Sequence, residues 1–529
     1  MATRNERPFR FNPRSLVDAL DGGQVPPGGL QALTDLIFDT ADPGTFECRP
    51  AAVQQSTFSG ISSPGVVSVA YVVGSVVYGM IGSSLVAGYD QPFAFNLSTN
   101  LLVSVSGTQS SSTLPATQST AGDWVPPTMA LVGVLLYVTH PGFNGSPAFF
   151  GWFDTTNPAA PVWHSGNTGV TALPYPPLAV AQYNNRAWFA VKNTLGFTDT
   201  LSTNISDATH FITVGDSVNI TALAPQPITT SVQGVIQALV AFKPSVISMI
   251  TGDAATNDLA QNIISSSVGC VAPRTVSAFP KGIIFMANDG IRTINQQGTL
   301  TDPNPDLQVP FVSAVFPSRA SAGYNNNVYR ISVQNGHISG NPTQEFWFDV
   351  RSNGWTGPHS FVQTLCCPYS ETFVAFSDAI HPALFTSDVM QSGNSTFTEN
   401  GSAMSFVYQT APLADDGGMY HGSAILSVID MELPANGYTY TFAASDVAAG
   451  AICSAIVTAK NTGNEWNYSN WGTLVWTNRQ YGLDRYNIPW PQPLVFTRLV
   501  FQANGPSSPD FKIGKLTVGN QPLRYVRTP

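Results

Sequence analysis

The feature that most constrains this chain is a duplication. Residues 344–355 read QEFWFDVRSNGW, and residues 149–163 read FFGWFDTTNPAAPVW. Each copy sets Trp-Phe-Asp ahead of a turn and a second tryptophan: Trp152, Phe153 and Asp154 with Trp163, then Trp347, Phe348 and Asp349 with Trp355. A second pair matches Tyr183-Asn184-Asn185-Arg186-Ala187-Trp188-Phe189 with Tyr324-Asn325-Asn326-Asn327-Val328-Tyr329-Arg330. The Trp-Phe-Asp copies are 195 residues apart and the Tyr-Asn-Asn copies 141. A unit of roughly 47 residues fits four times into the first gap and three times into the second, a period that belongs to β-propeller blades, roughly 40–50 residues each. Trp152, Phe153, Trp163, Trp188, Trp347, Phe348 and Trp355 are the expected core signature of that repeat.

Seven strand-turn-strand centres follow the same rhythm, at residues 67–80, 130–163, 181–200, 237–252, 282–297, 324–355 and 372–389. A lone blade leaves a sheet face bare, and radial packing of neighbours covers it, so the expectation is an all-β chain with a propeller of six or seven blades. Charged residues are 10% of the sequence against 45 Gly and 40 Pro, a composition for short strands joined by turns. Residues 1–58 are expected to form an arm with one short helix, since Leu30, Leu33, Leu36 and Ile37 have helical spacing and end near Thr40. Residues 59–400 would be the propeller. Residues 401–529 carry longer strand patterns without the blade period, and Trp466, Trp471, Trp476 and Trp490 crowd one region, which suits a β-sandwich-like domain.

One stretch could cross a membrane, because residues 66–89 run 24 positions without a charge. Yet Val67, Val69, Tyr71 and Val73, then Val76, Tyr78 and Met80, alternate with period two around Gly74-Ser75. That is the pattern of a buried hairpin with a two-residue turn. No apolar stretch follows the polar start MATRNERPFRFNPR, so no secretory signal is read there. Five cysteines, two of them adjacent and none in a Cys-x-x-Cys pair, fit neither a disulfide scaffold nor a zinc site.

Motifs that carry chemistry are scarce. Gly-x-Ser-x-Gly and the phosphate-binding Gly-x-x-x-x-Gly-Lys-Ser/Thr are absent, and the seven histidines stand apart from one another. Asp415-Asp416 before two glycines reads as a solvated turn. Asp154 and Asp349 recur within the repeat, which suits a blade turn better than a unique acid–base pair. The expectation is no enzyme, no cofactor and no metal. The charge of −10 is uneven: residues 1–14 hold Arg4, Arg7, Arg10 and Arg14 against Glu6, residues 478–529 hold seven bases against two acids, and the span between is strongly acidic.

The segment Phe46-Glu47-Cys48-Arg49-Pro50, followed by residues 188–199 (WFAVKNTLGFTD), 239–253 (LVAFKPSVISMITGD) and 281–294 (KGIIFMANDGIRTI), resembles the tail hub or nozzle proteins of short-tailed bacteriophages. The resemblance covers roughly residues 45–390. It implies a structural part of a virion tail, assembled in the bacterial host cytoplasm. It further implies a six-fold homo-oligomeric ring below a tail adaptor, carrying a needle, spike or fibre protein and passing double-stranded DNA. It brings no catalytic residues. An acidic channel wall would keep DNA from sticking by like-charge repulsion. Arg4, Arg7, Arg10 and Arg14 would meet acidic groups of the adaptor. Two other classes remain open: a receptor- or carbohydrate-binding virion protein, which needs an exposed aromatic platform, and a propeller glycoside hydrolase, which needs paired carboxylates at the ring centre.

Overall fold

In the computed structural model the described residues are 7–18, 28–39, 44–59, 64–83, 90–107, 125–141, 150–165, 175–205, 211–230, 234–256, 258–377, 383–389, 397–399, 401–412, 422–432, 439–446, 450–458, 484–488, 494–496, 499–508 and 511–522, with positions 42, 61, 143 and 173. They form two compact units. One comprises Gln54–Gln344 and Val362–Ser387, the other Met1–Val53, Glu345–Phe361 and Asp388–Pro529. Among the described residues, helix is confined to one turn, Val309–Val312, and to 3-10 turns at Pro273–Thr275 and Pro317–Arg319.

The first unit is a β-propeller. Its inner strands are Pro64–Val73, Thr128–Val132, Ala179–Tyr183, Ala222–Thr230, Ser277–Phe279, Ser321–Asn325 and Leu365–Tyr369. Each lies against the next, and the last returns to lie against the first, so seven inner strands close a ring. The first, third, fourth and fifth blades are four-stranded meanders, as in Ala179–Tyr183, Arg186–Val191, Thr194–Phe197 and Phe211–Thr213. The second carries an additional parallel strand, Ser106–Gly107, along Val162–Ser165. The seventh is completed by Ala51–Ser56, which precedes the first blade in sequence and borders Leu384–Val389. Joining the two ends of the repeat in one sheet closes the ring without a free seam.

Apolar residues of adjoining blades fill the wedges between them. Phe58 packs edge-on to Phe93 at 5.4 Å and parallel to Phe376 at 6.3 Å, joining the first and last blades. Burying one such phenylalanine contributes about 1.5–3 kcal/mol. A Cβ on Gly323 would lie 2.8 Å from the Cys366 sulfur, which only a glycine avoids.

The hairpins follow local chemistry. Val73 faces Val76 across Gly74-Ser75, and Gly74 has φ +61°, so residues 66–83 form a hairpin as the alternation requires. Tyr183 faces Arg186 across Asn184-Asn185, whose φ values of 49° and 55° are the left-handed pair of a type I′ turn. Asn325 faces Val328 across Asn326-Asn327, with φ 44° and 66°. The repeat therefore aligns Tyr183 with Asn325 rather than with Tyr324, one residue from the alignment the letters suggest.

The second unit is a β-sandwich. One sheet runs Leu36–Phe38, Phe46–Cys48, Lys512–Pro522, Gly422–Glu432 and Asp484–Ile488, with Arg7–Phe11 also on Lys512–Pro522 and Leu494–Phe496 also on Gly422–Glu432. The other runs Gly354–His359, Gly29–Thr34, Ser405–Thr410, Leu499–Pro506, Thr439–Asp446 and Gly450–Thr458. Their inner faces meet through aromatic rings: Phe46 and Tyr408 are 6.3 Å apart, Phe406 and Phe511 4.2 Å, and Tyr440 and Phe511 5.1 Å.

Two expectations are corrected here. The helix expected after Gly29 is instead two strands, Gly29–Thr34 and Leu36–Phe38, broken by Asp35 at φ +54°. The pairing of Gly29–Thr34 with Ser405–Thr410 slips between Leu30 and Ala32. A bulge adds one residue, so Leu30 and Leu33 are both buried although three apart, which imitates helical spacing. The 1–58 arm is not a separate part either. Its strands as far as Phe46–Cys48 belong to the same compact unit as residues 388–529, and residues 345–361, expected in the propeller, join them there, whereas Ala51–Ser56 borders the seventh blade.

Candidate functional site

The centre of the ring is the natural place to look for chemistry in a propeller. None of the seven inner strands contains Asp, Glu, Lys, Arg or His. A pair of carboxylates for glycoside hydrolysis must stand roughly 5–10 Å apart, and these strands supply neither member. Some polar groups there bond across blades: the Val180 amide donates to Thr128 Oγ1 at 2.9 Å, and Cys367 Sγ lies 3.2 Å from the Ala70 carbonyl. No group of three or more His, Cys, Asp or Glu side chains fit to hold a metal ion occurs among the described residues.

Three buried polar constellations lie elsewhere. In the propeller, Asp90 Oδ2 lies 2.8 Å from His140 Nε2 and 3.2 Å from Ser68 Oγ, with all three residues buried. The residue types are those of a serine hydrolase, but the order is not. A nucleophile needs the histidine on its hydroxyl, and here both groups converge on one carboxylate oxygen. The arrangement ties the first blade to the second.

In the same unit Lys243, 1% exposed, donates from Nζ to the Val214 carbonyl at 2.6 Å, the Asp216 carbonyl at 2.8 Å and Asp216 Oδ1 at 2.6 Å. It clamps the loop leading into the fourth blade. The hydrogen bond from Lys243 holds the Asp216 carboxyl below its ordinary pKa.

The third constellation is in the sandwich. Arg49, fully buried, donates to Asp35 Oδ1 at 3.1 Å, to Glu399 Oε1 and Oε2 at 3.0 and 2.9 Å, and to Ser360 Oγ at 3.3 Å. Glu399 Oε1 also accepts the Ala52 amide at 2.9 Å. Despite the burial that opposes it, hydrogen bonds and the Arg49 charge hold the Asp35 carboxyl well below the usual carboxylate range.

The repeat signature is found inside. Phe153 faces Trp163 across its hairpin and Phe348 faces Trp355 in the same register, with ring centroids 4.8 and 5.0 Å apart. Trp163, Trp188, Trp347 and Trp355 are buried, and Trp152 is half-buried with its ring stacked on His164 at 4.9 Å. The signature aspartates cap their turns: Asp154 Oδ1 accepts the Thr156 amide and Asp349 Oδ1 accepts the Arg351 and Ser352 amides.

Exposed Tyr175 carries Lys192 Nζ over its ring at 3.3 Å, so that ring face is occupied. Trp124, Trp466, Trp471, Trp476, Trp490 and the Asp415-Asp416 pair lie outside the described residues, as does Arg4. Arg7 and Arg10 sit in the strand Arg7–Phe11, opposite Asn520 and Thr517, and Arg14 is exposed with its amide bonded to the Gly28 carbonyl. These arginines and the signature aromatics converge on no common site. Sequence reasoning missed Lys243, His140 and Arg49. Only the fold brings their partners close, and no local spacing announces them.

No protein family description matches the chain, and no curated protein matches it. Among solved structures it is similar to the WD40 β-propeller domain of Doa1, with 9% identity, 65% of this chain and 98% of that one covered, and a TM-score of 0.37. It is also similar to the Dos1 propeller, with 10% identity, 64% and 95% covered and a TM-score of 0.36. An exo-β-1,3-galactanase of Phanerochaete chrysosporium matches at 8% identity, 75% and 96% covered and a TM-score of 0.25.

Proposed function

We propose that this chain is a structural component of a short-tailed phage tail, a nozzle or hub subunit that forms a six-fold ring beneath the tail adaptor. The observation that carries this reading is the composition of the ring centre. Seven inner strands without a charged side chain or histidine suit a packed scaffold. The buried charges of both units support it, because each is tied into hydrogen bonds that join blades or strands. The net charge of −10 supports the passage of DNA without binding, since like charges repel it. The distal edge of the ring would carry a needle, spike or fibre, and the basic start of the chain would face the adaptor.

Mixing the purified chain with the tail adaptor and measuring the mass of the product by native mass spectrometry tests this. Six copies bound to an adaptor ring are expected. A monomer that ignores the adaptor would reject the proposal, as would hydrolysis of a polysaccharide lost on changing a carboxylate of this chain.

A further inference from the structure

In the sandwich unit one buried cluster joins segments far apart in sequence. Asp35 stands at the turn after Gly29–Thr34, Arg49 follows Phe46–Cys48, Glu345, His359 and Ser360 come from residues 345–361, and Glu399 comes from the short strand Thr398–Glu399. Asp35 Oδ1 is the shared point. It accepts Arg49 Nε at 3.1 Å and the Ser360 amide at 3.0 Å, and His359 Nδ1 waits 3.8 Å away. The other ring nitrogen, Nε2, is 3.2 Å from Thr356 Oγ1.

We propose that this cluster is an acid-operated latch, in which a proton taken up at His359 competes for Asp35 and loosens the joint between the amino-terminal strands and residues 345–361. A neutral imidazole fits the geometry. The one carboxylate oxygen near Nδ1 already serves two donors, and the ring is fully buried against Trp347, 4.9 Å between centroids. The charged groups facing the imidazole are Asp35 from the turn, Arg49 beyond Phe46–Cys48 and Glu345 from Thr343–Asp349. A protonated ring must bond an anion. Asp35 is the nearest, and taking it draws the carboxylate from Arg49 and from the Ser360 amide together.

Burial first, and the Arg49 charge second, hold the imidazole below its ordinary pKa against the pull of Asp35 and Glu345. The sign follows: the unfolded chain accepts a proton near pH 6.5 that the folded unit resists, so stability is present above that pH and is lost as the pH falls below it. In the propeller a buried histidine meets a carboxylate directly, His140 with Asp90 at 2.8 Å.

Hydrogen exchange read by mass spectrometry on the full chain, at pH 7.5, 6.5 and 5.5 and corrected for intrinsic exchange rates, tests the latch. Residues 29–38 and 345–361 should lose about tenfold or more of their protection by pH 5.5, while residues 179–197 of the third blade keep theirs. His359→Gln retains a polar partner for Thr356 and takes no proton, so its step should vanish. A step that persists in His359→Gln, or an equal loss in the third blade, would overturn the proposal. Should that variant not fold, Glu345→Gln removes one carboxylate favouring the imidazolium and should move the step to lower pH. A step that stays in place or moves up would overturn it equally.

Discussion

Replacing Gly323 with alanine puts one methyl group where the inner strands of the sixth and seventh blades approach most closely. The new Cβ would lie 2.8 Å from the Cys366 sulfur, 3.2 Å from the Cys366 carbonyl oxygen and 3.5 Å from the Phe373 ring. The sulfur contact is closer than real Cβ atoms tolerate, so either the Cys366 sulfur turns into neighbouring packed side chains or the two strands separate. Overpacking of this kind costs about 1–3 kcal/mol. For a unit of this size that lowers the melting temperature by roughly 2–12 °C, at about 2–4 °C per kcal/mol. Scanning calorimetry or urea titration of wild type, Gly323→Ala, Cys366→Ala and the double variant supplies the cycle. Removing the sulfur takes away the worst contact, so the double variant should be more stable than the two single losses sum to, by about 1 kcal/mol. Gly323→Ala with unchanged stability, or strictly additive losses, would refute the claim that these strands are neighbours around one axis.

Four further outcomes follow from particular contacts. Arg49→Met leaves Asp35 and Glu399 without their cation and should cost about 3–5 kcal/mol in urea titration; a cost under about 1 kcal/mol would mean the cluster is solvated. Asn326→Val forces a β-branched residue to a φ of 44° and should destabilise by about 1–2 kcal/mol, whereas Asn326→Gly should be tolerated. Equal effects of the two would contradict the turn. Burial pushes the thiols of Cys48, Cys270 and Cys367 up to about 12, so these three should resist a thiol reagent at pH 8 in the native chain, read by peptide mapping. The same shift means that the folded chain holds protons the unfolded one releases, so stability should fall as the pH rises above about 8.5; a flat profile from pH 8 to 10 would contradict it.

Much of the propeller was legible because its signals are local. Gly74-Ser75 and the asparagine pairs fix two-residue turns, and the Phe153–Trp163 and Phe348–Trp355 pairs mark hairpins by spacing alone. The seven strand centres fall one in each of the seven blades for the same reason, although those at residues 237–252, 282–297 and 372–389 lie outward of the inner strands. The failures lie where distant partners decide. Leu30 and Leu33 looked helical because a bulge against Ser405–Thr410 inserts a residue, and nothing near Leu30 encodes that strand. Residues 345–361 carry the blade signature yet pack with the amino-terminal strands, through pairs such as Leu33 with Gly357. His140 stands apart from the other histidines in sequence, and only the closure of the second blade on the first brings Asp90 to it. Arg49 lay in Cys-Arg-Pro, a setting that says nothing of the carboxylates at positions 35 and 399.

The central claim is that a closed ring of blades serves here as a building part, repeated around a conduit for DNA. Single-particle cryo-electron microscopy of the chain assembled with its tail adaptor measures this most directly. Six copies around a central channel, each with a seven-bladed propeller and an amino-terminal strand still paired to residues 512–522, are the expected result. Solitary molecules under every adaptor concentration, or a map without a circular arrangement of sheets in residues 64–376, would contradict the account.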